Sequence, residues 1–507
     1  MTDPYAQNSL ELEVKNFGPI AEAKIDLRPF TVFVGPSNTG KSYLAILIYA
    51  LHQLFSGGTR FNYAPRAFLD RMIWDKQLSQ KDWDSLNEWL NDTLENMREP
   101  PYKKNALLSG PAEDLIRSAF SRFDAKGDVL GNGISRCFGI DGTRVLIRKS
   151  SQGGAKVVLR RRILEDANPF LQKLKIGVRK TALKTTIPEK IPDLLNLAYI
   201  AGDLVDLVRP KKGTRSESEL LAANTFIGSL AGSIFPSLVA PLHLPAFYLP
   251  ADRTGIMHSH MAVTSALIRN APMAGLRQDT SPPLFSGVLA DFLEHLINLG
   301  GQTQQSHWSR RTNDLGGQIE KSVLDGTVHI QRTETGYPIF TYHQQEWKDD
   351  LPLTNASSMV SELAPVVLYL RYLIEPENVL IIEEPESHLH PAKQVEFTRQ
   401  LAALVRAGVR VIITTHSEWV LEELANIVRL SGLSKAERKG IAGGDVALQP
   451  EEVGAWLFQP KNRPRGSVVK EIPLDDDSGL FPSGFDEVAV ALHNNWAEIS
   501  SRGGASG

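Results

Sequence analysis

Cys137 is the only cysteine of the 507-residue chain. No internal disulfide and no structural thiolate metal site can form, and a reducing compartment fits best. Excess charge of one sign is also lacking. Lys and Arg number 55 against 58 Asp and Glu, a formal net charge of −3, so local patches must decide any affinity for nucleic acid. Long apolar runs are missing. The uncharged stretch from Leu220 to Ala251 comes nearest, but Pro236, Pro241, Pro245 and Pro250 interrupt it. A buried helix, a loop and a core strand are expected there, and no membrane span. The opening residues MTDPYAQNSLELEVKNF hold no charged leader followed by an apolar run, which points to a cytoplasmic protein. Internal repeats and sustained heptads are absent as well, so no long coiled coil is expected.

What is present has ordinary globular proportions, 42% hydrophobic and 22% charged residues, in a length that suits two or three domains or one large core with an insertion. Residues 11–34 read as strands, the last being the apolar run Phe30–Val34, and a helical pattern starts at Lys41 with YLAILIYALHQLF. A polar region with Trp74, Trp83 and Trp89 follows at helical spacing. ISRCFGI, TRVLIRKS and AKVVLRRRI then alternate like a small β-meander. Later, Leu363–Ile374 reads as a helix, and Val379–Ile382 and Val409–Thr414 as short buried strands around a helix Ala392–Arg406. That β-α-β unit predicts a parallel sheet with a right-handed crossover.

Between the strand Phe30–Val34 and the helix lies GPSNTGKS: Gly35, Pro36, Ser37, Asn38, Thr39, Gly40, Lys41 and Ser42. It matches the phosphate-loop pattern G-x-x-x-x-G-K-[ST] in its required strand–loop–helix context. Glycines let backbone N–H groups and the helix N-terminus surround a β-phosphate. Lys41 can reach the β- and γ-phosphates and the Ser42 hydroxyl can ligate Mg²⁺, which makes ATP the expected nucleotide. A second cluster, VLIIEEPESHLHP, ends a buried strand in acids. Alone, EEPE reads as a solvated turn. At the carboxyl end of a parallel strand it can reach the phosphate loop, Glu383 toward Mg²⁺ and Glu384 as the base that polarises the attacking water. VRVIITTHSEW ends the next strand in His416, a structural histidine or a contact to the γ-phosphate. His388 and His390, two apart before Pro391, shape a turn rather than form a metal pair.

The order LEVKNFGPIAEAKIDLRPFTVFVGPSNTGKS, NASSMVSELAPVVLYL, NVLIIEEPESHLHP and VIITTHS resembles the ABC-type ATPases of the OLD, SMC and RecF grouping. It is most similar to stand-alone bacterial AAA family ATPases related to OLD proteins, several of which serve in anti-phage systems. AFYLPADRTGI, with Arg253, resembles a strand-end motif of the same proteins. The resemblance covers about the first 50 residues and residues 350–420. It implies an α/β ABC-type ATPase head with a P-loop parallel sheet core, an antiparallel β-subdomain and a helical insertion. The chain then divides into 1–59 (head with the phosphate loop), 60–240 (helical insertion and basic meander), 241–430 (rest of the head) and 431–507 (C-terminal sheet edge and tail). Two heads would pair head-to-tail around two ATP molecules, Ser357 and Ser358 of one head meeting the γ-phosphate held by the other, and Glu386 and Ser387 starting the segment that crosses the interface. The sequence departs from the pattern in carrying Glu383 for the usual Asp and ASSMVSEL without a glycine pair. Ser357 and Ser358 then also read as a helix cap. For the glutamine that should approach the nucleotide, Gln152 and Gln172 compete.

The functional expectation is an ATPase that senses or regulates a partner effector, a nuclease or toxin, in anti-phage defence. A repair or recombination ATPase acting on DNA ends, or an ATP-stabilised scaffold, are the alternatives. Nuclease activity in this chain is not expected: 91 residues follow His416, and Asp475–Asp477 read as a solvated strand end. Residues 144–190 hold thirteen Lys and Arg against three acids. This segment suits DNA, RNA or an acidic protein such as a phage inhibitor.

Overall fold

The computed structural model describes residues 10–56, 127–148, 153–161, 169–177, 180–186, 239–270, 285–299, 309–334, 336–462 and 465–473, with the single residues 124 and 494. The tryptophan region, most of 60–240, Gln152 and Asp475–Asp477 lie outside them.

Fourteen strands are described. The first are β1 (Glu11–Phe17), β2 (Ile20–Asp26) and β3 (Phe30–Val34), then β4 (Ala155–Arg161), β5 (Phe170–Ile176), β6 (Thr181–Thr186) and β7 (Ala246–Leu249). A separate antiparallel trio follows, β8 (Gly326–Arg332), β9 (Pro338–Gln344) and β10 (Leu351–Pro352). The last are β11 (Val379–Glu383), β12 (Arg410–Thr415), β13 (Val453–Asn462) and β14 (Arg465–Glu471). The main sheet has eleven strands in the order β6-β5-β4-β1-β2-β14-β13-β3-β12-β11-β7. From β13 to β7 every pairing is parallel, while β1, β2, β4, β5 and β6 form an antiparallel wing.

Parallel strands covered on both faces read as continuous apolar runs, and β3 (FTVFV) and β11 (VLIIE) are buried throughout. Their residues alternate between two cores. Phe33, Val379 and Ile381 join one, while Phe30, Val32, Val34, Leu380 and Ile382 join the other. The first core is closed by α1 (Lys41–Phe55), whose Leu44, Leu47, Ile48 and Leu51 point into it. Each such side chain contributes about 1.5–3 kcal/mol when fully buried. The opposite face carries α6 (Ser358–Tyr372), α7 (Pro391–Arg406) and α8 (Glu418–Arg429). The remaining helices are α2 (Gly127–Phe138), α3 (Arg253–Asn270), α4 (Gly287–Asn298) and α5 (Ser309–Ile319). Among the described residues no helix is long and apolar enough to cross a membrane.

Two expectations change. The meander is β4–β6. ISRCF belongs to α2 and TRVL to a 3₁₀ turn, because the apolar residues Leu130, Ile134 and Cys137 fall at helical spacing on one buried face. The C-terminal strands are not a sheet edge: β13 and β14 sit between β3 and β2.

One partly buried ionic knot ties α2 and α4 to α1. Asp291 of α4 accepts from Tyr49 Oη at 3.0 Å and from Arg136 Nη1 at 3.1 Å, with Arg136 Nη2 on its other oxygen. Replacing Arg136 by Ala should take both guanidinium donors away from the buried Asp291 carboxylate. The expected loss is about 2–4 kcal/mol, read as a lowered midpoint in urea with unchanged slope.

Candidate functional site

The phosphate loop is built by close approach. Gly35 has φ 138°, and a Cβ there would sit 2.6 Å from the Phe458 carbonyl oxygen on β13, so only glycine lets the chain leave β3 at that point. Gly40, with φ 101°, caps α1. Asn38 takes the left-handed conformation, φ 62°, and Thr39 Oγ1 ties the turn to Pro36 O at 2.7 Å. Pro36, Ser37, Asn38 and Ser42 face solvent, whereas Lys41 is buried. Its Nζ donates to Gly35 O at 2.7 Å and Pro36 O at 2.9 Å. Burial lowers its pKa to about 8, opposed by Glu384, Glu386 and Glu383. A buried ammonium with only carbonyl partners, at the start of a helix, suits a polyphosphate.

Strand order supplies the rest. β12 pairs with β3 on one side and β11 on the other, all parallel, so Gly35, His416 and Glu384 leave successive strands at the same end of the sheet. Glu383 closes β11 and accepts from Ala251 N at 3.2 Å. Glu384 turns sharply, φ 44°. A left-handed non-glycine residue costs about 1–3 kcal/mol, offset here by bonds from Glu384 N to Thr414 O (2.9 Å) and from Arg253 to Glu384 O (3.2 Å). The turn leaves the Glu384 carboxylate partly exposed, 3.6 Å from His416 Nε2. Burial, and then Lys41, lower the His416 pKa against the pull of Glu384, so the imidazole is neutral at pH 7 and can donate or accept.

Glu386 faces inward. Its Oε1 accepts from Thr415 Oγ1 at 2.8 Å and from His416 N at 2.6 Å, which fixes the exit of β12 and with it the His416 ring. A cleft of about 370 Å³ opens beside them, lined by Glu386, Gln394, His416, Ser417, Glu418 and Trp419. The inward turn of Glu386 carries no signal in the local sequence.

The chain thus brings together Gly35–Ser42, Glu383, Glu384 and His416, and leaves two predicted residues apart. Ser357 and Ser358 begin α6, on the opposite face of the sheet from α1. Both are exposed. Ser357 Oγ accepts from Val360 N at 3.4 Å, an N-cap bond, and neither serine is hydrogen-bonded to the phosphate loop. Gln172 does not approach the loop either: it is buried on β5, against Thr185, six strands from β3. His390 caps α7 through Ala392 N at 3.3 Å. Among the described residues no group of three or more His, Cys, Asp or Glu could hold a metal ion. The Ser42 hydroxyl and Glu383 carboxylate remain as hard oxygen donors of the kind Mg²⁺ takes together with phosphate and water.

The AAA ATPase domain model matches residues 10–104 and 293–421. No curated protein matches the chain. Among solved structures, the SMC head domain from Thermotoga maritima is 11% identical with a TM-score of 0.33, covering 92% of this chain and 99% of that one. The Smc head domain with an extended coiled coil bound to the C-terminal domain of ScpA, derived from Pyrococcus furiosus, is 12% identical with a TM-score of 0.37, covering 97% and 100%. Likeness at that level adds nothing to the reading of the site. The two matched stretches hold the phosphate loop, β11, β12 and His416. Over those stretches the chain is similar to an AAA ATPase domain, and ATP binding and hydrolysis are the activity that this similarity supports.

Proposed function

We propose that two copies of this chain pair head-to-tail around ATP, and that the assembly senses a trigger and regulates a partner effector, a nuclease or toxin, in bacterial anti-phage defence. The observation that carries the catalytic part is the juxtaposition of Lys41, Glu384 and His416 at adjacent parallel strand ends. Lys41 and the loop N–H groups hold the β- and γ-phosphates. Glu384 takes the proton of the attacking water, and His416, 3.6 Å away, steadies that carboxylate or donates to the γ-phosphate. Mg²⁺ at Ser42 and Glu383 would offset charge on the β- and γ-phosphate oxygens. The pairing is supported by the two exposed serines at the start of α6, which among the described residues make no side-chain hydrogen bond beyond the Ser357 cap and match the segment that related ATPases present to a second head. Resemblance to stand-alone ATPases of anti-phage systems supports the effector.

Changing Glu384 to Gln should keep ATP affinity within a few-fold, lower hydrolysis by about 10²–10⁴-fold, and accumulate an ATP-bound dimer in light scattering. Hydrolysis within threefold of wild type would remove Glu384 as the base. Purification of the same variant from its native operon with ATP should bring down a nuclease or toxin subunit. Recovery of nothing but the chain itself would count against regulation of an effector.

A second reading, action on DNA ends, is favoured by the antiparallel wing. Lys156 stands directly opposite Lys175, and Lys173 opposite Lys184. All four are exposed on one face of the sheet, and none of them forms an ion pair among the described residues. Like charges directly opposite destabilise a sheet, and a phosphate backbone would relieve the repulsion. If linear DNA binds there, replacing Lys173 and Lys184 by Gln should flatten the slope of log K against log salt by about 2. An unchanged slope, or no stimulation of the ATPase by DNA ends, would rule this reading out.

A further inference from the structure

Arg253 is the largest fully buried side chain among the described residues. It stands at the first position of α3, just beyond β7, within the stretch AFYLPADRTGI. A guanidinium offers five N–H donors in a rigid fork, and here it makes four hydrogen bonds and one ion pair. Nε donates to Glu362 O at 3.1 Å. Nη1 donates to Pro250 O at 3.0 Å and Glu383 O at 2.6 Å, and Nη2 donates to Glu384 O at 3.2 Å and pairs with Glu362 Oε1 at 2.6 Å. One side chain therefore binds the turn after β7, the backbone of both acids that end β11, and the first turn of α6.

The grip on α6 is reinforced by its neighbours. Thr254 Oγ1 donates to the second carboxylate oxygen of Glu362. His258 Nε2 meets Ser361 Oγ at 3.0 Å, and Ser361 Oγ donates to Leu353 O at 3.0 Å. The segment 353–362, which carries Ser357 and Ser358, is thus anchored to the start of α3. A charge held away from water is tolerated only while its partners stay in place, and losing one strands the other. A displacement of the Glu383–Glu384 backbone, already left-handed at Glu384, must then either break a charged hydrogen bond or carry the start of α6 with it.

We propose that Arg253 is a positioning residue that couples the hydrolytic turn of one protomer to the serines that the same protomer offers its partner. The presence of a γ-phosphate at one site thereby sets the fit of the other site. This rests on the head-to-tail reading of Ser357 and Ser358, and adds that the two faces of a single head move as a unit through one guanidinium.

The test uses the full chain with Mg²⁺ and either AMP-PNP or ADP. Nucleotide affinity is measured by calorimetry and self-association by sedimentation. Arg253→Lys keeps the charge but replaces the fork by three tetrahedral donors; Glu362→Gln leaves every backbone acceptor of Arg253 intact and serves if the lysine variant does not accumulate folded. For wild type, self-association should be much tighter with AMP-PNP than with ADP. In the variants the ratio of the two association constants should fall at least tenfold while AMP-PNP affinity stays within threefold. A purely structural role for Arg253 would weaken association with both nucleotides alike and leave the ratio unchanged, which would overturn the proposal. Parallel loss of AMP-PNP affinity would overturn it too, marking Arg253 as a support of the phosphate site. A wild-type chain that stays monomeric with AMP-PNP removes the head-to-tail reading and this inference together, whereas a normal wild type with variants that match it removes only the inference.

Discussion

The placement of β12 between β3 and β11, parallel to both, is the constraint on which the site depends. Neighbouring strands stand about 4.8 Å apart, so three consecutive strand ends span about 10 Å, the scale of a triphosphate with its attacking water. Residues 35, 384 and 416 come within that span only because the registers of the two pairings agree: Val34 lies opposite Thr415, and Glu383 opposite Thr414. A slip of one residue in either pairing would send Glu384 or His416 to the wrong side of the sheet. The apolar alternation of β3 and β11 between two separate cores opposes such a slip, since each residue has a core to lose.

Charge at this end of the sheet is arranged around that geometry. Lys41 is buried beside three carboxylates yet bonded to none of them, so its ammonium is directed at the loop it completes. Glu386 spends its carboxylate on the backbone of His416 and the hydroxyl of Thr415. Arg253 holds the carbonyls of Glu383 and Glu384 and bonds to neither carboxylate. The supporting residues thus act largely on backbone, and the partly exposed side chains of Glu384 and His416 are left to meet the nucleotide.

Much of this was legible in the residues, and the limit has a physical cause. The phosphate loop is local, eight residues whose roles follow from their own conformations. The β11-α7-β12 unit was legible because buried parallel strands are continuous apolar runs and the helix between them is amphipathic. Strand order was not: nothing in VGAWLFQPKN states that it pairs with FTVFV more than 400 positions earlier. ISRCF alone is too short to fix a period, and the helix emerges only when Leu130 is read together with Ile134 and Cys137. Arg253 and Glu362 are separated by 109 positions, and a charged residue at a strand end looks solvated until the fold encloses it. The opposition of Lys173 to Lys184 likewise needed the register, since the basic count of 144–190 cannot distinguish a ladder from a scatter.

The position of β13 and β14 bears on how the chain is made. β2 and β3 are joined by only three residues, Leu27, Arg28 and Pro29, yet in the finished sheet they are two strands apart, with β14 and β13 filling the gap. Those filling strands begin at Val453. During synthesis β2 and β3 are complete from residue 34 onward, each with an open edge, until more than 400 further residues have been added. Open edges are templates for wrong pairing, and contacts of such sequence separation form slowly. The nascent chain therefore carries its phosphate loop with an unclosed seam beside it until β13 and β14 have been made. Gly35 packs against Phe458 in that seam, so the loop attains its final shape only when the last strands insert.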